Sequence, residues 1–332
     1  MLEVSVTPDA LFFGEGFSLS FQRTLRIPDD GRTYPLPPGL GTFPICPVHD
    51  YEQRVPGSWL EQGGVFIPMY QREALWIFFQ PRYWKPNAVK VAVGKVNAVS
   101  GKPWDEKLRP DEEDYLVCPP QPWLDGINAG EGYIRQFVAM PLRLGYTVEA
   151  QVTGEERFGG IQILVYEPKP GRFPDQPPQS KELFRESVAL MEEGLELAMP
   201  GGMEMGIAAG GMMKQKIYPD PHGIDTWDQD NYGQVYVHIV NSMMYREITG
   251  QEPPPTPISA RTYTQYGFPW FDLYDDKMAD IAAPEQLKQV KSVKQMDAEK
   301  ELPPQQDDQP VEIQDETIVT YPMDSDQAEN GD

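Results

Sequence analysis

Apolar and polar side chains alternate along much of the first half of the chain, which is the pattern of half-buried β-strands. In GFSLSFQRTLRI (16–27), Phe17, Leu19 and Phe21 share one parity while serine and glutamine take the other. NAVKVAVGKVNAVSG (87–101) repeats the alternation, and ALWIFFQ (74–80) is apolar on both parities, which predicts a central strand. Similar segments recur to about residue 167, separated by Gly/Pro turns. We therefore predict a mainly β protein with an antiparallel β-sandwich or barrel-like body.

The periodicity changes after the proline-rich stretch 167–179. In SKELFRESVALMEEGLELAM (180–199) apolar residues recur every three or four positions, which predicts one amphipathic helix with Ser180 as its N-cap. Strands return in GQVYVHIV (233–240), and ARTYTQYGFPWFDLYDD (260–276) predicts a last strand with an anchoring turn. We expect residues 180–283 to pack on the β-rich domain 1–179 as one body.

The last 49 residues have a different composition. Residues 284–332 carry 13 acidic against 4 basic residues and are rich in glutamine, which predicts a disordered acidic tail. Within it, PVEIQDETIVTYPM (310–323) keeps a short alternating pattern that can add a strand or bind a partner.

The net charge limits the partners and the compartment. A formal charge of −23 repels nucleic acid and anionic membranes, so both are disfavoured as partners. No apolar run approaches the roughly 18 residues of a membrane span, and MLEVSVTPDALFFGEG (1–16) lacks the basic start of a signal peptide. Only two cysteines are present. We expect a cytoplasmic protein.

Four sequence segments resemble those of a known family: FQRTLRIP, VGKVNAVSG, IRQFVAMPL and GGIQI. Through them, residues 16–167 resemble a family of uncharacterised microbial β-rich proteins of bacteria and fungi. The resemblance includes no catalytic signature and brings no activity or site residues with it. It implies that the body is a recurrent domain and that the tail varies.

The loop CPPQPWLDGINAGEGYIRQF (118–137) concentrates polar side chains around glycines and a tryptophan. Asp125 and Glu131 are candidates for the paired carboxylates of a glycosidase. With Trp123 and Asn128, they are also candidates for a sugar-binding surface on a β-sandwich. The alternative is that Trp123 packs the loop onto the core.

The stretch MPGGMEMGIAAGGMM (199–213) combines five methionines with five glycines. Met203, Met205, Met212 and Met213 are soft ligands suited to copper(I), but only Met203 and Met205 have the spacing of such sites. We interpret the segment as a flexible hinge or partner-contact loop, in which methionines adapt to an irregular apolar surface.

Two further groups are candidates for metal chemistry. In DTWDQDNYG (225–233), Asp228 and Asp230 match part of a calcium loop, but Ile239 stands where an EF-hand needs glutamate, leaving a calcium site of another type or an acidic turn. Cys46 and His49 have a spacing suited to zinc or to a thiol nucleophile, and the alternative is a metal-free surface loop.

The common signatures of nucleotide enzymes and hydrolases, GxxxxGK[ST], GxSxG and HExxH, are absent from the sequence. Our leading hypothesis is a non-enzymatic interaction or self-assembly protein that binds another protein or itself. Its acidic tail would serve for solubility or docking. The alternative is a carbohydrate-binding β-sandwich or a carboxylate-based glycosidase. We expect no cofactor other than calcium.

Overall fold

The computed structural model describes residues 1–177, 202–272 and 278–320. Strands predominate in these residues, which confirms the mainly β prediction. They are β1 (Val4–Val6), β2 (Leu11–Phe13), β3 (Phe17–Thr24), β4 (Thr33–Tyr34), β5 (Gly39–Thr42), β6 (Cys46–Pro47), β7 (Val65–Met69), β8 (Ala74–Pro81), β9 (Asn87–Val93), β10 (Val96–Asn97), β11 (Leu116–Cys118), β12 (Trp123–Leu124), β13 (Gly126–Gly130), β14 (Tyr133–Pro141), β15 (Ile161–Pro168), β16 (Glu204–Lys214), β17 (Trp227–Asn241), β18 (Trp270–Asp272) and β19 (Ile318–Thr320).

The described helices are short and lie mostly in the second half of the chain. They are α1 (Gly57–Gln62), α2 (Val148–Thr153), α3 (Ser242–Thr249), α4 (Ala260–Gln265), α5 (Glu285–Lys288) and α6 (Val293–Glu299), with 3-10 turns at Val48–Tyr51, Ile224–Thr226, Gln306–Asp308 and Asp315–Thr317. The predicted amphipathic helix over 180–199 lies outside the described residues. No helix in the described ranges is long and apolar enough to cross a membrane.

Strands β1 to β17 form one hydrogen-bonded sheet in which most neighbours are antiparallel. Its middle runs in the order β3–β8–β14–β16–β17–β15–β9. Strand β8 pairs on both edges, as its apolar character on both parities predicts. Two pairings are parallel, β4 with β16 and β7 with β17, and β18 and β19 form a separate parallel pair.

One large core lies against this sheet, and both halves of the chain contribute to it. It joins Phe21, Val91 and Ile163 from the first 179 residues to Ile207 and Val237 from the next hundred. Each of these side chains is at most 1 % exposed. Burial of such residues, each stabilising by about 1.5–3 kcal/mol, ties the two stretches together.

The methionine- and glycine-rich stretch does not form the predicted hinge or contact loop. Residues 204–214 form strand β16, paired along β14. Met205 and Met213 are buried in the core, whereas Met203 and Met212 are only partly covered. The glycines permit close approach of other chain segments, since a Cβ on Gly211 would lie 2.5 Å from the carbonyl oxygen of Pro28.

The predicted disorder from residue 284 onward is wrong for residues 285–320. The segment 278–320, which we call the C-terminal strap, lies across the sheet with Leu287, Val290 and Val293 in its cores. Strand β19 lies in the alternating segment 310–323, for which the sequence left open a strand or a partner-binding segment, and it pairs with β18. Residues 321–332, the end of the predicted acidic tail, lie outside the described ranges.

The C-terminal strap is held on the body by ion pairs in addition to apolar contacts. The Arg72 guanidinium donates two hydrogen bonds of 2.8 Å to the Asp297 carboxylate, which also accepts one of 2.7 Å from the Tyr146 hydroxyl. Arg26 pairs with Asp308, and both side chains are almost fully buried. Breaking either pair would leave a buried charge without its partner, so the strap is a fixed part of the body.

Candidate functional site

The four residues of the predicted carbohydrate site do not converge on one open surface. Asp125 and Asn128 are 4 % and 1 % exposed, while Glu131 is exposed at the tip of the β13–β14 hairpin, with a left-handed φ of 56°. Asp125 and Glu131 are six positions apart along largely extended chain, on the order of 20 Å at about 3.3 Å per residue. Glycosidase carboxylates stand roughly 5–10 Å apart. Trp123 is half-buried and packs edge-on against Trp76, as in the packing alternative.

Asp125 is bound within the protein. The Gln215 side-chain amide donates to its carboxylate at 2.9 Å, and the Asp125 backbone N–H donates to the same side chain at 3.0 Å. Burial raises the pKa of the Asp125 carboxyl to about 8, against hydrogen bonds from Trp123 and Gln215 that lower it. No ion pair to Asp125 occurs in the described parts of the chain, and its raised pKa favours the protonated form at neutral pH.

The predicted calcium residues lie on a strand and not in the predicted turn. Asp228 and Asp230 both belong to the outer part of β17, and the Asp228 carboxylate accepts from the Asp230 backbone N–H at 3.2 Å. No group of three or more histidine, cysteine or carboxylate side chains suited to a metal occurs in the described parts of the chain.

Cys46 and His49 point to different environments. Cys46 is 8 % exposed and its thiol lies 3.5 Å from the Tyr245 hydroxyl, whereas His49 is exposed and pairs with Asp50 at 3.1 Å. Burial raises the pKa of the Cys46 thiol. A thiol held in its protonated form is a poor nucleophile and a poor zinc ligand.

A concavity lies where the C-terminal strap meets the connection from β10 to β11. This acidic groove encloses about 620 Å³ and is lined by residues from three stretches, 99–113, Pro219 and 281–286. The first stretch is the long connection from β10 to β11, and the last is the start of the strap with α5. The groove therefore has two walls from segments about 180 positions apart in the chain.

Its side chains are predominantly acidic. Asp111, Glu112, Glu113 and Glu285 line the groove, and Lys102 is the one basic residue among the described residues that do so. Lys102 is already paired with Glu112 at 2.8 Å. The groove therefore holds an excess of negative charge between walls of low dielectric constant, which focus the field on an incoming cation.

Glu113 is the most perturbed of these carboxyls. Burial raises its pKa to about 7, aided by the nearby Asp220 and Asp114, although the Asp220 backbone N–H donates to it at 2.6 Å. No lysine or arginine of the described ranges forms an ion pair with Glu113. A half-buried carboxyl in that position gains most from a cation supplied by a ligand.

A buried polar network makes the wall at 104–115 rigid. Lys90 is fully buried on β9, and its ammonium group donates to Asp105 at 2.8 Å and to the Lys107 carbonyl at 2.7 Å, and lies 2.8 Å from Asp114. Beside it, Asp220 accepts hydrogen bonds of 2.8 Å from both Tyr115 and Trp227. Because Lys90, Tyr115 and Trp227 all donate to partners in this network, the wall is held in place by several buried hydrogen bonds.

A second cleft of about 380 Å³ lies near the amino terminus, around Arg82 and Lys85. Its charges are largely paired within the protein: Arg82 lies 3.9 Å from Glu15, and Lys85 lies 3.3 Å from Asp175. The acidic groove is therefore the better candidate for a binding site.

Sequence patterns did not single out the groove. The sequence feature that could have indicated it is Lys90, a lysine in the valine-rich run NAVKVAV. The alternation places this lysine on a face expected to meet solvent. A buried lysine needs carboxylates, and the nearest acidic run in sequence, DEED (111–114), supplies Asp114 to Lys90 and the other three carboxyls to the groove. The second wall was missed because the strap had been expected to be disordered.

Comparison with known proteins identifies no relative: no protein-family model matches the chain, and neither a curated protein nor a solved structure matches it. The resemblance of residues 16–167 to a microbial β-rich family stays a prediction.

Proposed function

We propose that this chain is a non-enzymatic interaction protein whose acidic groove binds an extended, lysine- or arginine-bearing segment of a protein partner. The observation that carries the proposal is Glu113, a half-buried carboxyl in a concave, acidic site with no cation of its own among the described residues. The groove is complementary in charge to such a segment.

The lining favours a basic side chain over a bare metal ion. Asp111, Glu112 and Glu285 are exposed along the groove and do not gather around one point, and no metal-ligand group is found in the described ranges. Pro110, Pro219 and Ile281 also line the groove. Such surfaces receive the aliphatic stems of lysine and arginine while carboxylates hold the charged ends.

Two properties count against nucleophilic catalysis by either thiol and acid–base catalysis by His238. Burial raises the pKa of both thiols, Cys46 and Cys118, so both are protonated at neutral pH. Burial also lowers the pKa of His238 to about 4, and its ring is stacked on Trp59 at 4.6 Å between centroids. Neither property bears on the groove, whose carboxyls are suited to ion pairing.

The test is the affinity of a fluorescent lysine-rich decapeptide, measured by anisotropy at low and moderate salt. We expect binding that weakens as salt rises, because the attraction is electrostatic and partly screened. The double substitution Asp111→Asn with Glu112→Gln should weaken binding about tenfold, equivalent to about 1.4 kcal/mol. The matched control is Glu52→Gln with Glu61→Gln, which removes the same charge from exposed positions outside the groove lining.

Equal losses in the groove pair and the control pair would refute the proposal, since the peptide would then be responding to net charge alone. A neutral peptide that binds as tightly as the lysine peptide would refute it as well. If free spermine binds as tightly as the peptide, the ligand of the groove is a small polyamine and not a protein segment. Sedimentation of the protein alone over a range of concentrations tests whether the partner is a second copy.

A further inference from the structure

Asn128 joins the two walls of the acidic groove from below. It lies on β13 and is 1 % exposed, and the two hydrogens of its side-chain NH2 are shared among three carbonyl oxygens: Val99 at 3.3 Å, Ile281 at 3.1 Å and Ala282 at 3.4 Å. All three residues line the groove, Val99 on the first wall and the other two on the strap.

The orientation of this amide is determined by its neighbours. The side-chain oxygen of Asn128 accepts from the Gly130 backbone N–H at 2.9 Å, so the nitrogen must face the carbonyls. The Asn128 backbone N–H also donates to the Ala98 carbonyl at 2.9 Å, which fixes the residue to the first wall. If either wall moved, a buried polar group of this hydrogen-bonded amide or of its partners would be left unsatisfied.

A second link lies at the rim. The Gln286 side-chain amide donates to the Ser100 carbonyl at 3.1 Å and so connects α5 to the first wall. Gly101 allows this contact, because a Cβ there would lie 2.7 Å from the Gln286 amide nitrogen. The separation of the walls is thus determined at two points, of which Asn128 is the deeper.

We infer that Asn128 is the positioning residue of the acidic groove: it sets the separation between Glu285 on the strap and the carboxyls at 111–113, and with it the size of cationic group admitted. This inference rests on the proposed function, because it concerns the ligand of the same groove. Asn128 itself lies below the lining and does not contact the ligand.

The experiment compares two peptides with one charge and two sizes. They are the lysine-rich decapeptide and the same peptide with each lysine Nε-trimethylated. For the unaltered protein we expect the lysine form to bind more tightly. In Asn128→Ala we expect about a tenfold loss for the lysine peptide and a ratio of the two affinities close to one. Amide exchange should accelerate over residues 281–286.

Two further variants separate wall spacing from charge and from stability. Asn128→Asp has the same shape but adds a negative charge, so it binds more tightly if charge alone matters and more weakly if spacing does, because a carboxylate cannot donate to the three carbonyls. Asn87→Ala is the matched control. It removes another buried asparagine, which lies outside the groove lining and whose side chain donates to the Tyr166 carbonyl at 3.2 Å. It should leave the affinity ratio unchanged.

The outcomes distinguish this inference from the function on which it rests. If the unaltered protein binds neither peptide, the proposed function fails. If it binds, and Asn128→Ala keeps both the affinity and the ratio while residues 281–286 exchange faster, the positioning role fails and the groove remains a binding site. If Asn128→Ala does not fold, Gln286→Ala at the rim is used in its place. We expect a smaller loss of affinity for the lysine peptide and the same change in the ratio of the two affinities.

Discussion

Asp125 shows what burial of one carboxyl costs this protein. Its pKa of about 8 in the folded chain lies well above its ordinary value of 3.8, so folding favours the protonated form. As pH rises from about 4 to 8, the unfolded chain loses this proton first. The folded state then binds more protons than the unfolded state, and the free energy of unfolding falls by up to about 1.4 kcal/mol per pH unit from this group.

We therefore expect Asp125→Asn to flatten the decline of stability between pH 5 and pH 8. The substitution removes the proton linkage while keeping an oxygen for the Gln215 amide. The measurement is the urea-unfolding free energy at several pH values. Asp230→Asn, an exposed carboxyl on β17, serves as the control and should keep the slope of the unaltered protein. An unchanged slope in Asp125→Asn would show that Asp125 is already ionised in the folded state.

At the same scale, the sequence identified residues of interest but not their surroundings. Trp123, Asp125 and Asn128 were selected because polar groups beside a tryptophan are typical of sugar sites. Asp125 and Asn128 are instead buried and hydrogen-bonded to segments 90 and about 150 positions away, Gln215 and 281–282. Local spacing cannot predict partners at such separations. The sequence therefore identified polar residues of interest but not their role, which is to form buried hydrogen bonds.

At the scale of the element, alternation predicted strands well because a half-buried strand repeats every two residues. It failed at β16, since EMGIAAGGMMK lacks alternation and is rich in glycine. Strand β16 is covered by neighbours on most of its length, so its small residues are required by close contacts and not by flexibility. Gly211 has its missing side chain directed at the Pro28 carbonyl, and Gly206 at Leu142 and Thr147.

This account of β16 predicts that Gly211→Ala destabilises the protein by about 1–3 kcal/mol, the range typical of overpacking. A Cβ there meets backbone at 2.5 Å, which cannot move aside as a flexible side chain can. Gly202→Ala, two residues before the strand, meets nothing within 4 Å and is the control. Thermal unfolding of both variants provides the comparison. Equal stability of the two would support the flexible loop that we first predicted.

For the whole molecule, composition was a poor guide to the C-terminal strap. Acidic and glutamine-rich sequence usually stays disordered, yet Leu287, Val290, Val293 and Met296 recur at helical spacing within it, and the first three are buried. The buried acids Asp297 and Asp308 are matched by Arg72 and Arg26 on the body. Acidic residues that indicate disorder when the segment is considered alone instead hold the strap on the body, because their arginine partners lie elsewhere in the fold.

The strap also explains why the groove exists only in the folded whole. One wall comes from residues 99–113 and the other from 281–286, so neither stretch forms the site alone. The proposed interaction thus depends on long-range packing, which a single sequence does not reveal. What the sequence did indicate was a body-wide acidic charge, which disfavours nucleic acid and anionic membranes as partners.

The central claim is most directly tested by measuring the affinity of the lysine-rich decapeptide from pH 6 to pH 8. A cation beside Glu113 lowers the pKa of that carboxyl, so binding releases a proton and tightens as pH rises through about 7. We predict a several-fold gain in affinity over this range for the unaltered protein and a flat profile for Glu113→Gln. Binding absent at every pH, or the same pH profile in both proteins, would contradict the assignment of the groove as a cation-binding site.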